Sequence, residues 1–232
     1  MHSTRRWLTA TVLAAAITVG ATACGSAGDP LAGMTSKQVA TKAVSATEAA
    51  PIARVSGSGS DSGQLVNLDL TLVRGKGCTG TIGEGSLFSL RLIYNGSTMW
   101  VLADSKFYQS AGAPAAAAAA LKGKYLKLKA GTSGLSSLSE LCSMSKLLSQ
   151  FTVDAGGGKG VKTTLGGQSA VEINDSTGAG HAWVSDTATP ELLRIQKPGS
   201  SGGQIDFSYP ATAPALTSPP AGQVVDGSQY GF

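Results

Sequence analysis

Over most of this chain apolar residues recur at every second position. In Gln64–Val73, Val66, Leu68, Leu70 and Leu72 point one way while Asn67, Asp69 and Thr71 point the other, the period of a strand with one buried face. Leu87–Tyr94 and Thr98–Ala103 repeat the pattern on either side of Asn95-Gly96. That dipeptide marks a two-residue hairpin turn, whose central residues take φ > 0. Lys124–Lys129 alternates again, with Leu126 and Leu128 opposed to Tyr125, Lys127 and Lys129. Ile52–Ser58, Gly160–Thr164, Ser169–Ile173, His181–Ser185, Leu192–Gln196 and Gln204–Tyr209 read as further short strands, several separated by glycine-rich turns.

Helical spacing is confined to three places. Thr35–Ala50, capped by Thr35 or Ser36 and ended by Pro51, carries a narrow stripe of Val39, Ala43, Val44 and Ala46 or Thr47. Ala113–Leu121, with Pro114 in the first turn, reads as a short helix or else as a low-complexity loop. Leu135–Leu148 gathers Leu135, Leu138, Leu141, Cys142 and Leu148 near one face, and Pro210–Phe232 is Pro- and Ala-rich and expected to run extended over the surface.

Ten or eleven turn-linked strands with a few helices predict an α+β domain built on an antiparallel meander. A sheet of that many strands curls, so the expected form is a strongly curved half-barrel with helices on its concave face and a hydrophobic cavity between them. Val66, Leu68, Leu70, Leu72, Leu90 and Leu92 are the candidate cavity wall; a solid core would use the same residues.

The N-terminus follows another logic. Two arginines in Met1–Arg6 precede the apolar stretch Trp7–Val19 and the small residues Gly20–Ala23, the layout of a secretory signal. At 1.5 Å per residue that stretch reaches only about 20 Å, short of the ~30 Å hydrocarbon core. Thr4-Arg5-Arg6-Trp7-Leu8 partly resembles a twin-arginine export signal, which leaves the export route open. Ala21-Thr22-Ala23-Cys24-Gly25-Ser26 resembles a bacterial lipobox, which implies a diacylglyceryl thioether on Cys24 as the mature N-terminus; the other reading is a plain signal peptide cut at Ala23. The expected organisation is therefore a signal peptide over 1–23, a lipidated tether over 24–34 and one domain over 35–232, held at the outer face of the cell membrane or partly secreted. With Cys24 lipidated, Cys78 and Cys142 remain, an even pair that favours one disulfide in an oxidising compartment, with two buried thiols as the alternative.

Composition removes several classes of function. Glycine is 31 of 232 residues and charged residues are only 14%, against coiled coils and acidic tails, while 42% apolar residues argue against disorder. Without Arg5 and Arg6 the 18 basic residues become 16 against 14 acidic, a net charge of +2, and no basic run is interleaved with aromatics, so nucleic acid is not an expected partner. His181 is the one histidine outside the signal; with no evident carboxylate partner it reads as structural, and no metal site is expected. Gly199-Ser200-Ser201-Gly202-Gly203 matches G-x-S-x-G in form but sits between strands with its histidine upstream, so it reads as a turn. No phosphate-binding loop is present. Asp69, Asp104, Glu172 and Asp206 are scattered over polar-facing strand positions, and Trp100, Phe107, Tyr108, Tyr125 and Trp183 fall on strands as packing residues. No catalytic residue and no cofactor is expected.

The order of segments carries one further signal. Lys37-Gln38-Val39-Ala40 leads to Ile52–Ser58, then to Gly96–Val101, Phe107-Tyr108 and Leu121–Leu128; Gly167–Ile173, Ala182–Val184, Pro190–Ile195 and Gly203–Phe207 complete the series. Together with the lipobox this resembles the actinobacterial LppX/LprG/LprA lipoprotein family, related in fold to the LolA/LolB lipoprotein carriers, over roughly Thr35 to Val225. The resemblance implies a helix-covered half-barrel whose pocket takes acylated lipids or lipoglycans. It also implies a monomer anchored through Cys24 that works with an envelope transporter or acceptor protein. The alternative is a surface interaction or sensor module with a solid-packed sheet and no cargo.

Overall fold

The computed structural model of the chain describes residues 29–61, 64–85, 87–132, 136–149, 155–200 and 202–230. The expected signal peptide, Cys24 and Leu135 lie outside the described residues. A first helix, α1 (Ser36–Ala49), leads into β1 (Ile52–Asp61), β2 (Gln64–Val73), β3 (Gly77–Glu84), β4 (Phe88–Tyr94) and β5 (Thr98–Ala103). Two short helices follow, α2 (Ser105–Ser110) and α3 (Ala115–Ala120), then β6 (Tyr125–Lys129) and the helices α4 (Ser136–Glu140) and α5 (Met144–Ser149). A second meander runs through β7 (Val161–Leu165), β8 (Gln168–Asn174), β9 (His181–Ser185), β10 (Leu192–Lys197) and β11 (Gly203–Ser208), and β12 (Val224–Asp226) lies between two 3-10 turns.

All twelve strands join one curved, unclosed sheet in the order β12-β6-β5-β4-β3-β2-β1-β11-β10-β9-β8-β7. The two meanders meet where β1 pairs antiparallel with β11, Val55 opposite Phe207. From there one inward row runs Phe207, Val55, Leu70, Gly80, Leu92, Val101, Leu126 and Val225 across eight strands. A second runs Ile173, Ala182, Ile195, Ile205, Gly57, Leu68, Ile82, Leu90 and Ala103. The alternation read from β2 is thus propagated by register through its neighbours. Gly57 and Gly80 interrupt these rows where strands press closest: a Cβ on Gly57 would run into the Gln204 carbonyl, and one on Gly80 into that of Asp69.

The helices cover the inward face. The capping box on α1 is complete, with Thr35 Oγ1 accepting from Gln38 N–H and the Gln38 side chain accepting from Thr35 N–H. Its buried stripe is Ser36, Val39, Ala43 and Thr47, whereas Val44, expected on that stripe, faces outward at 37% exposure. Among the described residues no helix is long and apolar enough to cross a membrane.

Four details differ from expectation. β3 and β12 are additional strands: Gly77–Glu84 carries too many glycines to show an alternation, and β12 pairs with β6 in parallel, the one exception to the antiparallel pattern among the described residues. The expected helix over 135–148 divides at Leu141–Ser143 into α4 and α5, in a serine-rich stretch whose hydroxyls compete for backbone groups. Phe107 and Tyr108 lie on α2 rather than on a strand because Asp104, also expected on a strand, caps that helix by accepting from Phe107 N–H at 2.9 Å. The β4–β5 hairpin turns on Gly96-Ser97, not Asn95-Gly96. Asn95 N–H donates to Thr98 O at 3.1 Å, and its side chain accepts from Ser97 and Thr98 N–H.

Tyr108 ties α2 to the sheet. It is fully buried, its hydroxyl donates to Val101 O at 2.9 Å and accepts from Ala103 N–H at 3.2 Å, and burial pushes its pKa up to about 12. The unfolded chain ionises this tyrosine near about pH 10 while the folded chain keeps it neutral, so its stabilisation is present below about pH 10 and is lost as pH rises toward about 12. Thermal unfolding followed between about pH 9 and about pH 11 is expected to show a falling midpoint, with a shallower fall in Tyr108→Phe.

Candidate functional site

The ends of several elements converge at one rim of the curved sheet and leave a cleft of about 450 Å³, open to solvent on one side. The last turn of α1 contributes Thr47, Glu48 and Ala50, and β1 and β2 contribute Ala53 and Leu72. The β2–β3 hairpin adds Arg74 to Gly77, and Tyr94 and Gly96 enter from the β4–β5 hairpin. The opposite wall comes from α4, α5 and the turn between them, with Ser139, Cys142, Ser143, Met144 and Ser145. Leu72, Ala53, Ala50, Tyr94 and Met144 make an apolar floor, while serine hydroxyls and the side chains of Glu48, Arg74 and Lys76 stand at the edges. The volume falls in the range of roughly 300–1,000 Å³ typical of small-ligand sites.

Two ties, one covalent and one polar, hold this geometry. Cys78, fully buried on β3, forms a disulfide with Cys142 in the α4–α5 turn, Cα to Cα 5.1 Å, so the even cysteine pair is joined rather than left as two thiols. The bond clamps one wall of the cleft to the sheet. On the other side Tyr209, just beyond β11, donates its hydroxyl hydrogen to Leu192 O at 2.7 Å, while Leu192 N–H donates to Thr47 Oγ1 at 2.9 Å. That leaves the Thr47 hydroxyl as donor to Tyr209 Oη at 3.0 Å. Each hydroxyl proton is thereby used, and α1 is locked to the second meander by a satisfied buried network. Burial raises the Tyr209 pKa well above the ordinary tyrosine value, so the network keeps its protons through neutral pH.

Of the candidate wall residues only Leu72 lines this cleft. Leu70, Leu90 and Leu92, at 0%, 2% and 0% exposure, pack in the core. Leu68 is half-buried against that core and Val66 half-buried toward the far end of β2. The cleft residues missed by sequence reading come from element ends, where periodicity is silent; the available signals were the turn Arg74-Gly75-Lys76-Gly77 and Cys142. A second hollow, about 390 Å³, lies among glycines and serines between β1, β10 and β11, near the exposed Leu65.

His181 does have a carboxylate partner, contrary to expectation. Its Nδ1 lies 2.8 Å from Glu172 Oε1, because β8–β9 register sets Glu172 opposite Trp183, two residues from His181 on the same face. The His181 ring also stacks on Trp183 at 5.8 Å. This cluster sits outside the cleft. Residues Asp29–Met34, expected in a flexible tether, lie against the domain: Leu31 is buried at 6% exposure and Asp29 pairs with Lys162 at 2.9 Å.

Known structures similar to this chain include LprF from Mycobacterium bovis. It superposes with a TM-score of 0.49 at 12% identity, covering 79% of this chain and 97% of that one. An uncharacterized conserved protein from Thermus thermophilus superposes at 0.38 and 10% identity, covering 82% and 98%. No family model and no curated protein matches the chain.

The disulfide spans 64 positions, which in the chain-entropy account stabilises the fold by about 4 kcal/mol. Cys142→Ser is expected to lower stability by about 2–5 kcal/mol in urea titration, and added reductant should then have no further effect on the variant.

Proposed function

We propose that this protein is a non-enzymatic lipoprotein of the cell envelope that binds, carries or presents an acylated lipid or lipoglycan. The observation that carries this reading is the half-open cleft of about 450 Å³ with its floor of Ala50, Ala53, Leu72, Tyr94 and Met144. Such a floor acts by withdrawing an acyl chain from water, at about 0.8 kcal/mol per methylene buried. The signal and lipobox around Cys24, and the ordered segments that resemble the LppX/LprG/LprA family, support the same reading.

A diacylglyceryl Cys24 would hold the domain at the outer face of the membrane, since two acyl chains give stable anchoring. Asp29 is fixed to the body through Lys162, and the five residues from Cys24 to Asp29 span at most about 18 Å. The domain would therefore stay close to the bilayer, within reach of a transporter or acceptor protein that loads or receives the lipid.

One observation favours a second reading, a surface interaction module without cargo: Leu70, Leu90 and Leu92 are packed solid in the concave core. The two readings differ in an experiment. Native mass spectrometry of residues 29–232 from an actinobacterial host is expected to show adducts of lipid mass, and Met144→Trp, which fills the cleft from a half-buried position, should lose them while remaining folded. Leu70→Trp should instead destabilise the fold by about 1–3 kcal/mol or more, being an overpacked core. A bare protein mass even after incubation with excess lipid would decide for the interaction module. In the same host, radiolabelled palmitate is expected in the wild type and not in Cys24→Ser.

A further inference from the structure

We infer that the cleft selects an acylated amphiphile with an anionic head, carboxylate or phosphate, and that Arg74 and Lys76 are the head-group residues. The inference rests on the reading of the cleft as an acyl-chain site. Both cations line the cleft and both are exposed. Among the described residues the ion pairs use Arg54, Lys162, His181 and Arg194, so neither Arg74 nor Lys76 is committed to a described carboxylate of the chain.

Their backbone is fixed. Arg74 N–H donates to Pro51 O at 3.0 Å and Lys76 N–H to Val73 O at 2.9 Å, closing the β2–β3 turn over the start of β1. Two flexible cationic side chains thus rise from a rigid turn beside the apolar floor of Ala53 and Leu72. Among the described residues Glu48 is the one carboxylate lining the cleft, which leaves an excess of one positive charge there. Ser143 and Ser145, their hydroxyls 3.3 Å apart, stand on the wall opposite as additional hydrogen-bonding groups. A guanidinium presents a planar fork to a carboxylate or phosphate, and an ammonium adds a point charge with three donors. A neutral lipid would leave both cations without a role, while an anionic head satisfies them with its chain on the floor.

The test uses the mature chain, residues 24–232 with Cys24→Ser, and three sixteen-carbon probes: palmitate, hexadecyl phosphate and methyl palmitate. Affinities from displacement of a fluorescent fatty-acid analogue at low salt are expected to favour at least one anionic probe over methyl palmitate by about ten-fold or more. The tighter of the two assigns the head as carboxylate or phosphate. In Arg74→Gln/Lys76→Gln that advantage should fall to about two-fold or less, with methyl palmitate binding unchanged; both positions are exposed, and circular dichroism verifies the fold. Equal binding of all three probes, or an anionic advantage that survives in the double variant, overturns this inference and leaves the acyl-chain site standing. Failure of all three to bind overturns both.

Discussion

The pairing of β1 with β11 is the contact on which the rest of the molecule depends. Arg54 to Gly59 meet Gly203 to Ser208, residues 144 to 154 positions apart in the chain. Without that ladder the two meanders would be separate sheets, each with an exposed central edge, and α1 would have only half a surface to cover. The residues that allow it are small: in Ile52–Asp61 serine and glycine alternate after Val55, and Gly57 admits the Gln204 carbonyl where any side chain would collide. A contact of such sequence separation closes a long loop before it contributes anything, which places this fold among the slower-folding topologies.

The cleft follows from how the covering helices are held. α1 lies on β8, β9 and β10, and the triangle of Thr47, Tyr209 and Leu192 fixes its last turn beside β10. α5 touches α1, and the Cys78–Cys142 disulfide holds the turn before it against β3. These ties act from opposite sides, one through hydrogen bonds and one covalently. Between them the sheet rim is left partly uncovered, so the hollow is bounded by rigid parts rather than by loose loops. The same arrangement buries the middle of the concave face, so that the cleft opens at the rim rather than along the apolar inner surface.

That distribution separates two tasks that the apolar residues of the sheet would otherwise share. Leu70, Leu90 and Leu92 supply stability, with neighbours on all sides. Leu72 and Ala53, buried at 4% and 2% exposure, and the half-buried Met144 form the edge of the core that lines the cleft. Charge is arranged to match: the paired ions Arg54–Asp69 and Arg194–Asp206 lie on polar strand positions away from the cleft, while the cations of the β2–β3 turn stand at its mouth.

Much of this was legible in the chain itself, for reasons that are local. Alternation in β2, β4 and β6, the Thr35 cap, a tight β4–β5 turn, one residue beyond the Asn95-Gly96 pair that signals it, and the even cysteine pair each express a rule that needs only neighbours in sequence, and together they specify an α+β half-barrel. β3 escaped because Gly77, Gly80 and Gly83 have no side chains to show a period, and β12 because three residues are too few to show one. The Glu172–His181 contact needed β8–β9 register, which no single strand reveals. Which of the apolar wall residues line the cleft was equally out of reach: Leu70 and Leu72 belong to the same face of the same strand, both are buried, and only the path of α1 and the disulfide-held turn brings Leu72 to the cleft. The chain by itself determined which faces are apolar; the tertiary structure decided which of them remain uncovered, because covering is a property of elements distant in sequence.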